Sequence, residues 1–504
     1  MKRIFSSFII LILIVSCSNK NKLNTNEQKL AAEIKTEELQ KLEAEKAAQE
    51  NTTIIPDSLP PGFRFQEDRS VDLQFTPKVI DISNFQNTKK NFKLSDLIHE
   101  IKYIPLENIP NKINDKSLGY TPKLADNYIL IKSGFSLFLF NRDGSFKDVV
   151  CESPNGYVET SSGSDIQTAT ISSLNNAKGV WGDVWSIGNK LFYRYVDNGA
   201  KKNFLMTYDM DSRQNPLSLP ADKEKYQVAA KGKIQASLGI EREERFSEYI
   251  PLSDDSYAGI NRKTKSAMQG QLMTSFRLNG DTLTSFPEYE TISNYSHSVM
   301  RGNFPQFIYQ YKNTATFLNT FNDTVYRVIP PNRLLPAYIL NMGEYKIKTQ
   351  EGFTPGQDIS SKLYIKDFFE TPKYIYIKLI QGYDSPNNRK NKNIKIYYVV
   401  YEKENGRLYQ LPVNPKGYCG AFEGVQSYYV PQGIVNDIDG GFLFWPQNVN
   451  AKGEIYEVVS GEKLKKHITS DRFNYSSASK YEKDKLKTLA EKVKGDQLIL
   501  IVYK

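Results

Sequence analysis

The chain contains three histidines, and an imidazole base is what a hydrolytic triad requires. His99 lies in a segment ahead of the first hairpin, and His467 lies in a Lys-flanked segment that suggests an exposed strand end. Only His297, in NYSHSVMRGNFP, is placed among loop residues that could face a pocket. Even there, a surface or structural histidine is favoured over a catalytic one.

Paired carboxylates are the other candidates for acid and base chemistry. A glycosidase needs two carboxyl groups about 5 to 9.5 Å apart on either side of one bond. Neighbouring residues of a strand point to opposite faces, so the close pairs in this chain favour turn and surface roles. These pairs are Glu243 with Glu244, Asp254 with Asp255, and Asp437 with Asp439. DIDGG at 437–441 has part of a calcium-loop pattern, but Asn448 stands where the bidentate Glu belongs, so a turn is favoured.

The standard local motifs are absent from the sequence. It contains no G-x-G, G-x-x-x-x-G-K-[ST], C-x-x-C, H-E-x-x-H or G-x-S-x-G pattern. Three Cys and three His are too few for a cysteine- or histidine-rich metal site. The sequence therefore predicts no cofactor, no metal and no catalytic residues, and it favours a protein that is not an enzyme.

Two tryptophans are candidates for ligand contact. VWGDVWSIGNKLFYRY at 180–195 places Trp181 and Trp185 four residues apart. Exposed rings would stack on a sugar or a peptide, whereas buried rings would fill the core of the fold. A core role is expected for most aromatic residues of this segment.

Composition and charge narrow the class of partner. The 504 residues carry a formal net charge of +9, which falls to +7 without Lys2 and Arg3, and both signs are interspersed. Nucleic-acid-binding proteins concentrate basic residues on one stripe. The densest basic run, SPNNRKNKNIK at 385–395, is typical of a solvated loop, so no nucleic-acid partner is predicted.

The first residues form an export signal. MKRIFSSFIILILIVSC has a basic start and an apolar run too short to span a bilayer. IVSC resembles a bacterial lipobox, which implies a signal peptide at 1–16, cleavage before Cys17 and acylation of that cysteine. Residues 18–22 have no aspartate beside the cysteine and no acidic cluster. This favours an outer-membrane lipoprotein on the periplasmic face rather than the cell surface.

Residues 17–78 are expected to separate this anchor from the folded domain. Residues 26–50 consist almost entirely of strong helix formers with i,i+4 opposite charges, which predicts a helical stalk. Residues 51–78 contain PDSLPPGF and are expected to form an extended linker.

From residue 79 onward, short aromatic-rich strands are separated by turn residues. Six segments share an apolar strand, a polar turn and a second strand, about 63 residues apart on average. They are residues 137–150, 204–219, 273–286, 315–328, 397–411 and 455–468. If each is the outer half of a four-stranded unit, residues 79–504 form an all-β, six-bladed β-propeller. Two β-sandwich domains are the alternative.

Three segments follow a pattern known from other proteins: NFKLSDLIHEIKYIPLE at 91–107, LFLFNRDGSF at 137–146 and TFNDTVYRV at 320–328. Through these segments the chain resembles the six-bladed β-propeller lipoproteins of Bacteroidota. CESPNGYVET at 151–160 departs from a Gly-rich loop usual in that family. A Lys-rich helix near 478–494 and a last strand, QLILIVYK, also depart, and this strand could close the ring by pairing with a neighbouring blade.

The sequence therefore predicts a lipid-anchored envelope propeller that is a non-enzymatic module binding a glycan, a peptide or an envelope protein. The alternative is a propeller hydrolase or lyase with carboxylates or tyrosines around its central channel, and a third reading is a scaffold in an outer-membrane complex. Cys151 and Cys419 could form a disulfide or remain two buried thiols.

Overall fold

The computed structural model describes residues 76–107, 120–152, 178–197, 202–212, 229–230, 233–237, 248–260, 271–277, 281–287, 306–312, 314–330, 333–354, 357–382, 394–411 and 433–504. The chain divides into two units, residues 1–55 with 73–76 and residues 56–72 with 77–504, and the second is the unit described below. The predicted signal peptide, Cys17 and the stalk lie outside the described residues, as do Glu243, Glu244, His297 and Cys419.

Strands dominate the described part of the chain and form six sheets, which we number as blades 1 to 6. Two strands, β1 (Lys78–Asp81) and β2 (Ile101–Pro105), come before the first complete blade. Blade 1 contains β3 (Tyr120–Leu124), β4 (Tyr128–Ser133), β5 (Ser136–Asn141) and β6 (Phe146–Glu152). Blade 2 contains β7 (Lys178–Ile187), β8 (Lys190–Asp197), β9 (Lys202–Asp209) and β11 (Lys233–Ser237), while β10 (Ala229–Ala230) joins the edge of blade 1.

Blades 3 to 6 follow in chain order. Blade 3 contains β12 (Glu248–Pro251), β13 (Ser256–Ile260), β14 (Gln271–Arg277) and β15 (Thr282–Pro287). Blade 4 contains β16 (Phe307–Tyr311), β17 (Thr314–Leu318), β18 (Thr324–Ile329) and β19 (Arg333–Asn341). Blade 5 contains β20 (Leu363–Glu370), β21 (Tyr374–Gln381), β22 (Lys395–Glu402) and β23 (Arg407–Gln410). Blade 6 contains β24 (Asn448–Val449), β25 (Ile455–Ser460) and β26 (Leu498–Tyr503), with β2 as its fourth strand.

The first strands of neighbouring blades surround the propeller axis. β7 contacts β12, β16 contacts β20, and β24 contacts both β20 and β3. We call the end at which these first strands begin the upper face and the end at which they stop the lower face. The six-bladed β-propeller predicted from the hairpins is thus confirmed by the six sheets and their order.

The strands form because their side chains are buried on both faces. β5, with the sequence SLFLFN, is buried at every position except its last, because each blade packs between two others. Buried hydrophobic clusters extend across neighbouring blades. Leu139 of blade 1 and Val184 of blade 2 belong to one cluster, and Phe140 of blade 1 and Tyr456 of blade 6 belong to another. The many aromatic residues of the sequence therefore serve mainly to pack the blades against one another.

Tight turns join the strands where glycine allows a left-handed backbone. Gly144 between β5 and β6 has φ +93°, and Gly406 between β22 and β23 has φ +68°. The predicted outer hairpins at 137–150, 273–286 and 397–411 correspond to the last two strands of blades 1, 3 and 5.

The other three hairpin predictions require correction. Residues 315–328 form the middle pair of strands in blade 4, because another strand, β16, precedes them. The turn that joins β16 to β17 contains Lys312, whose φ is +53°. The sequence Lys-Asn is not a usual hairpin signal. β9 pairs with β11, so the partner strand lies beyond the predicted 204–219 segment. Residues 455–468 are a strand followed by a helix, not a hairpin.

Helices occupy the connection between β25 and β26 of blade 6. α1 (Thr349–Phe353) lies earlier, between blades 4 and 5, and α2 (Gly461–Ile468), α3 (Asp471–Asn474) and α4 (Lys480–Lys492) follow β25. Short 3-10 turns span Phe85–Asn87, Leu94–Asp96 and Gly343–Tyr345. The predicted helix near 478–494 is confirmed by α4. Among the helices of the described ranges, none is long and apolar enough to cross a membrane.

The ring closes through an N-terminal strand. β2 pairs antiparallel with β26 across all five of its residues, so blade 6 combines both ends of the chain. The final strand, β26, which is predicted to close the ring, therefore lies between β25 and β2 in blade 6, and β2 is the edge strand. Upstream, β1 pairs with the outer strand of blade 4, and Lys89 and Lys93 bridge to Gln410 and Val435.

Candidate functional site

An irregular stretch of β7 places polar groups beside the axis. The pairing of β7 with β8 shifts register between Trp181 and Trp185. Gly182 has φ +71°, and a β-carbon there would lie 3.3 Å from a carboxylate oxygen of Glu248 on blade 3. This bulge exposes Asp183 on the innermost strand of blade 2 instead of burying it between blades.

Two lysines of blade 1 face this bulge. Lys132 Nζ donates a hydrogen bond to the carbonyl oxygen of Gly182 at 2.7 Å. Lys123 Nζ lies 4.2 Å from the centre of the Trp185 ring, a cation–π contact. Burial lowers the pKa of both lysines, and the negative charges of Asp183 and Glu248 partly oppose that shift. Two cations from the first two strands of blade 1 thus meet two carboxylates from the inner strands of blades 2 and 3.

The two predicted ligand-contact tryptophans have different environments. Trp185 is 1% exposed and packs in the core between blades 2 and 3, where its indole Nε1 has no hydrogen-bond partner. Trp181 is only half-buried and stacks on Phe135 of blade 1, with ring centres 5.8 Å apart and an interplanar angle of 18°. Trp181 is therefore the ring that a ligand can reach.

An open recess of about 310 Å³ lies between blades 2 and 3 and connects Trp181 with Asp183, Glu248 and Arg194. The guanidinium of Arg194 lies 5.8 Å from the centre of the Tyr249 ring, and its Nε donates to Asn203. We call Trp181, Asp183, Lys123, Lys132 and Glu248, together with this recess, the axial site.

The axial site can bind a ligand that both donates and accepts hydrogen bonds. Lysine ammonium groups only donate, and ionised carboxylates only accept. Within the described ranges, neither Asp183 nor the ammonium of Lys123 has a hydrogen-bond partner, and the exposed carboxylate of Asp183 is available to a ligand. The ring of Trp181 adds an apolar platform beside them.

A second charged cluster lies near the lower face between blades 4 and 5. Glu370, 1% exposed, accepts hydrogen bonds from Arg327 at 2.5 Å, Lys403 at 2.6 Å, Tyr338 at 2.9 Å and Tyr309 at 2.8 Å. One carboxylate oxygen of Glu370 therefore accepts three of these hydrogen bonds and the other accepts one, and the cluster links two blades. We interpret it as a structural interblade network.

The remaining sequence candidates have structural partners. The side chain of Asp437 accepts from the backbone N and hydroxyl of Ser95, and Asp439 accepts from the hydroxyl of Tyr103 at 2.8 Å. Both carboxylates thus fasten the N-terminal segment to blade 6, which agrees with the predicted turn rather than a calcium loop. Across the described ranges, no group of three or more His, Cys, Asp or Glu side chains is placed to hold a metal ion.

Neither histidine in the described ranges is placed for catalysis. His467 is buried on α2, not on an exposed strand end as predicted, and its Nε2 lies 2.9 Å from the carbonyl oxygen of Gly440. Burial lowers its pKa. His99 is exposed, and its backbone N donates to the carbonyl oxygen of Lys504.

Asp254, Asp255 and Cys151 also have structural roles. Asp254 and Asp255 lie in the turn between β12 and β13, where Asp254 pairs with Lys190 and Asp255 accepts from Ser253, as predicted for turn residues. Cys151 is a buried thiol whose pKa burial raises to about 12. Its partner in the disulfide considered from the sequence, Cys419, lies outside the described residues.

Sequence reasoning singled out Trp181 but not its polar neighbours. Lys123, Lys132, Asp183 and Glu248 come from three blades and share no local motif. One signal was present, since WGDVW places a glycine and an aspartate between two strand-forming tryptophans and so indicates a bulge.

Comparison with known proteins finds a matching family whose description gives no function. A family described as a domain of unknown function (DUF4933) matches residues 60–470. No curated protein matches the chain.

Solved structures with a similar arrangement are distant. A candidate exported protein of Bacteroides fragilis is 14% identical, with a TM-score of 0.49, and the match covers 84% of this chain and 99% of that one. A DUF4221-family member from Bacteroides vulgatus is 10% identical, with a TM-score of 0.34 over 81% and 97% of the two chains. A virginiamycin B lyase of Staphylococcus aureus is 12% identical, with a TM-score of 0.27 over 64% and 93%. At these values the likeness carries no functional argument.

Proposed function

The chain belongs to the DUF4933 family, and from that premise we propose that it is a lipid-anchored envelope propeller that binds a glycan at the axial site without turning it over. The observation that carries this proposal is the half-exposed ring of Trp181 beside the exposed carboxylate of Asp183 and the ammonium of Lys123.

The mixture of charges at the axial site favours hydroxyl groups over a charged ligand. A polyanion would be attracted by Lys123 and Lys132 but repelled by Asp183 and Glu248. A polycation would be attracted by the two carboxylates and repelled by the two lysines. A sugar hydroxyl donates to a carboxylate and accepts from an ammonium group at once. Neighbouring hydroxyls of one sugar ring can therefore bridge the lysines of blade 1 and the carboxylates of blades 2 and 3.

The aromatic platform supports the same ligand class. Sugar rings present an apolar face of C–H groups that packs on aromatic rings, and Trp181 offers one face while Phe135 supports the other. Because Phe135 belongs to blade 1 and Trp181 to blade 2, packing between the blades holds the platform in place before ligand arrives. Such preorganisation reduces the entropy lost on binding.

The anchor in this proposal rests on the sequence. The lipobox at IVSC supports acylation of Cys17, and the Lys- and Glu-rich segment after it supports a spacer between the lipid and the propeller. We place the protein on the periplasmic face of the outer membrane.

The proposal is tested by screening the protein on a glycan array and then measuring the affinity of the best ligand by calorimetry. We expect Trp181→Ala and Asp183→Asn each to weaken binding about tenfold, because each removes one of the two kinds of contact. Tyr475→Ala and Asp484→Asn, which alter an exposed aromatic ring and an exposed carboxylate near the C-terminal helices, should leave the affinity unchanged.

A saturable peptide ligand with no glycan bound would overturn the choice of ligand. Release of new reducing ends or unsaturated products from the bound glycan would overturn the non-enzymatic assignment and favour the hydrolase or lyase alternative. Affinity that is the same in all four variants would show that the axial site is not the binding site.

A further inference from the structure

The charged cluster around Glu370 continues to the protein surface at the lower face of blade 4. Tyr311, the last residue of β16, is half-buried, and Lys312 follows it in the turn and is exposed. The guanidinium carbon of Arg327 lies 4.3 Å from the centre of the Tyr311 ring, Lys403 Nζ lies 4.4 Å from it, and the ammonium of the turn lysine lies 5.7 Å from it. One aromatic ring therefore gathers three cations. We call these five residues the lower-face cluster.

Positive charge exceeds negative charge in the lower-face cluster. Among the described residues, Arg327 and Lys403 form ion pairs with one carboxylate, that of Glu370. Burial lowers the pKa of Lys403 to about 8, and Glu370 opposes that shift. The positive charges of Arg327 and Lys312 add to the lowering, so Lys312 is near enough to act on Lys403. One carboxylate among three cations leaves two positive charges, which favour a bound anion.

Three side chains of the cluster have unused hydrogen-bond donors. An ammonium group carries three N–H donors. Lys403 Nζ donates to Glu370 at 2.6 Å and to the hydroxyl oxygen of Tyr311 at 3.3 Å, so one of its N–H groups is left over. Across the described part of the chain, the hydroxyl proton of Tyr311 has no acceptor, and the ammonium of Lys312 makes no hydrogen bond.

The backbone holds Lys312 beside this ring in a strained conformation. Its φ is +53°, in the left-handed region that glycine adopts more readily. Its backbone N donates to the carbonyl oxygen of Ala451 in blade 6 at 2.7 Å, and this contact fastens the turn. Strain of this kind persists only where the surrounding structure holds it, and it is concentrated at functional sites. The turn therefore presents the lysine side chain from a fixed point.

We propose that the lower-face cluster binds a doubly charged oxyanion, the phosphate monoester group of a larger ligand. Its oxygens would accept hydrogen bonds from Lys312, Lys403 and the hydroxyl of Tyr311. Its two negative charges match the two positive charges that Glu370 leaves, whereas a chloride ion or a single carboxylate would match only one. The cluster uses no residue of the axial site, so the inference is independent of glycan binding.

The test is a phosphorus NMR titration of inorganic phosphate with the full chain, at neutral pH and in a constant background of sodium chloride. We expect saturable binding. Lys312→Gln should weaken it about tenfold, because one charge-assisted hydrogen bond is lost. Lys312→Arg keeps the charge and should retain the affinity, and Tyr311→Phe, which keeps the ring but removes the hydroxyl, should weaken binding severalfold.

Lys465→Gln is the matched control for charge. Lys465 is exposed on α2 of blade 6 and lies outside the lower-face cluster, so its loss should leave the affinity for phosphate unchanged. Lys312 is exposed as well, so neither variant removes a buried contact. Equal affinity of Lys312→Gln and Lys465→Gln, or the absence of saturable phosphate binding by the unaltered protein, would overturn the proposal.

Competing probes identify the source of the phosphate group. Displacement of phosphate by glycerol 3-phosphate would support the proposal and assign the site to a soluble phosphate ester. Displacement by phosphatidylcholine vesicles that contain phosphatidic acid, but not by phosphatidylcholine alone, would support it and assign the site to a lipid headgroup. If neither probe displaces phosphate, the cluster does not bind a phosphate monoester and the proposal is wrong.

Discussion

Among single residues, Glu370 illustrates how one buried carboxylate can hold two blades together. Burial opposes its ionisation, but Arg327 and Lys403 outweigh burial, and the net effect lowers the pKa of Glu370 below its ordinary 4.5. Burial in turn lowers the pKa of Lys403 to about 8, although Glu370 opposes that shift. Each of these three charged side chains can therefore be buried, because a side chain of opposite charge is buried beside it.

Glu370→Gln should destabilise the protein by roughly 3–5 kcal/mol, because Arg327 and Lys403 would remain buried without their counter-charge. The control Glu482→Gln should cost less than about 1 kcal/mol, since Glu482 pairs with Lys485 at the surface. Urea unfolding at pH 7 measures both. Equal effects of the two substitutions would contradict the structural role given to the cluster.

The comparison of the unaltered protein with Glu370→Gln also predicts how the free energy of unfolding depends on pH. Because the folded-state pKa of Glu370 is lowered, its stabilising contribution is full above pH 4.5 and is lost as the pH falls through the lowered value. Unfolding free energies of the unaltered protein and Glu370→Gln should therefore converge as the pH falls below 4.5.

At the scale of elements, the helical insertion in blade 6 is fitted to the backbone that follows it. Ser460 caps α2 by accepting from the backbone N of Lys463, and the backbone N of Gly461 donates to the carbonyl oxygen of Gln497 at 2.8 Å. A β-carbon on Gly461 would collide with the carbonyl oxygen of Lys494. The start of α2 is thus packed directly on the segment that leads into β26.

Gly461→Ala should lower the free energy of unfolding by about 1–3 kcal/mol, the usual cost of overpacking a fitted contact. Gly495→Ala is the matched control, because a β-carbon there meets nothing within 4 Å. Thermal or urea denaturation of the two variants checks the prediction. If the two alanines have the same effect, α2 is not packed as described.

At the scale of the whole molecule, both ends of the chain are joined in one blade. β2 covers the edge of β26, so blade 6 cannot be completed without residues that precede blade 1. The chain reaches blade 6 from β1 on the outer strand of blade 4. The strand β1 therefore lies at the outer edge of the propeller, whereas the axial site lies beside the axis.

Lipid anchoring predicts that the mature protein partitions into the detergent phase of a Triton X-114 extraction. Cys17→Ser should move it to the aqueous phase, because one acylated cysteine supplies the membrane affinity. Cys419→Ser, which alters a cysteine far from the export signal, should stay in the detergent phase. Detergent partitioning that survives Cys17→Ser would rule out the anchor.

The sequence by itself was sufficient for the class of fold. Alternating aromatic strands and glycine turns such as Gly144 and Gly406 are local features, so blade number and several hairpins could be read from them. The same local rules failed at Gly461, because a serine and a glycine after a strand fit a turn and a helix cap equally well. They failed again at Lys312, where tertiary packing holds a left-handed turn without glycine.

The assembly of sites was decided only by the tertiary structure. The sequence singled out Trp181 and Trp185 as equivalent candidates, and burial between blades removed one of them from the surface. Lys123, Asp183 and Glu248 are far apart in the chain and meet only because the inner strands of three blades surround one axis. Local pattern determines which segments become strands, since that choice depends on neighbours in the chain. Which side chains share a site depends on how the blades pack around the axis, and no local sequence pattern encodes that packing.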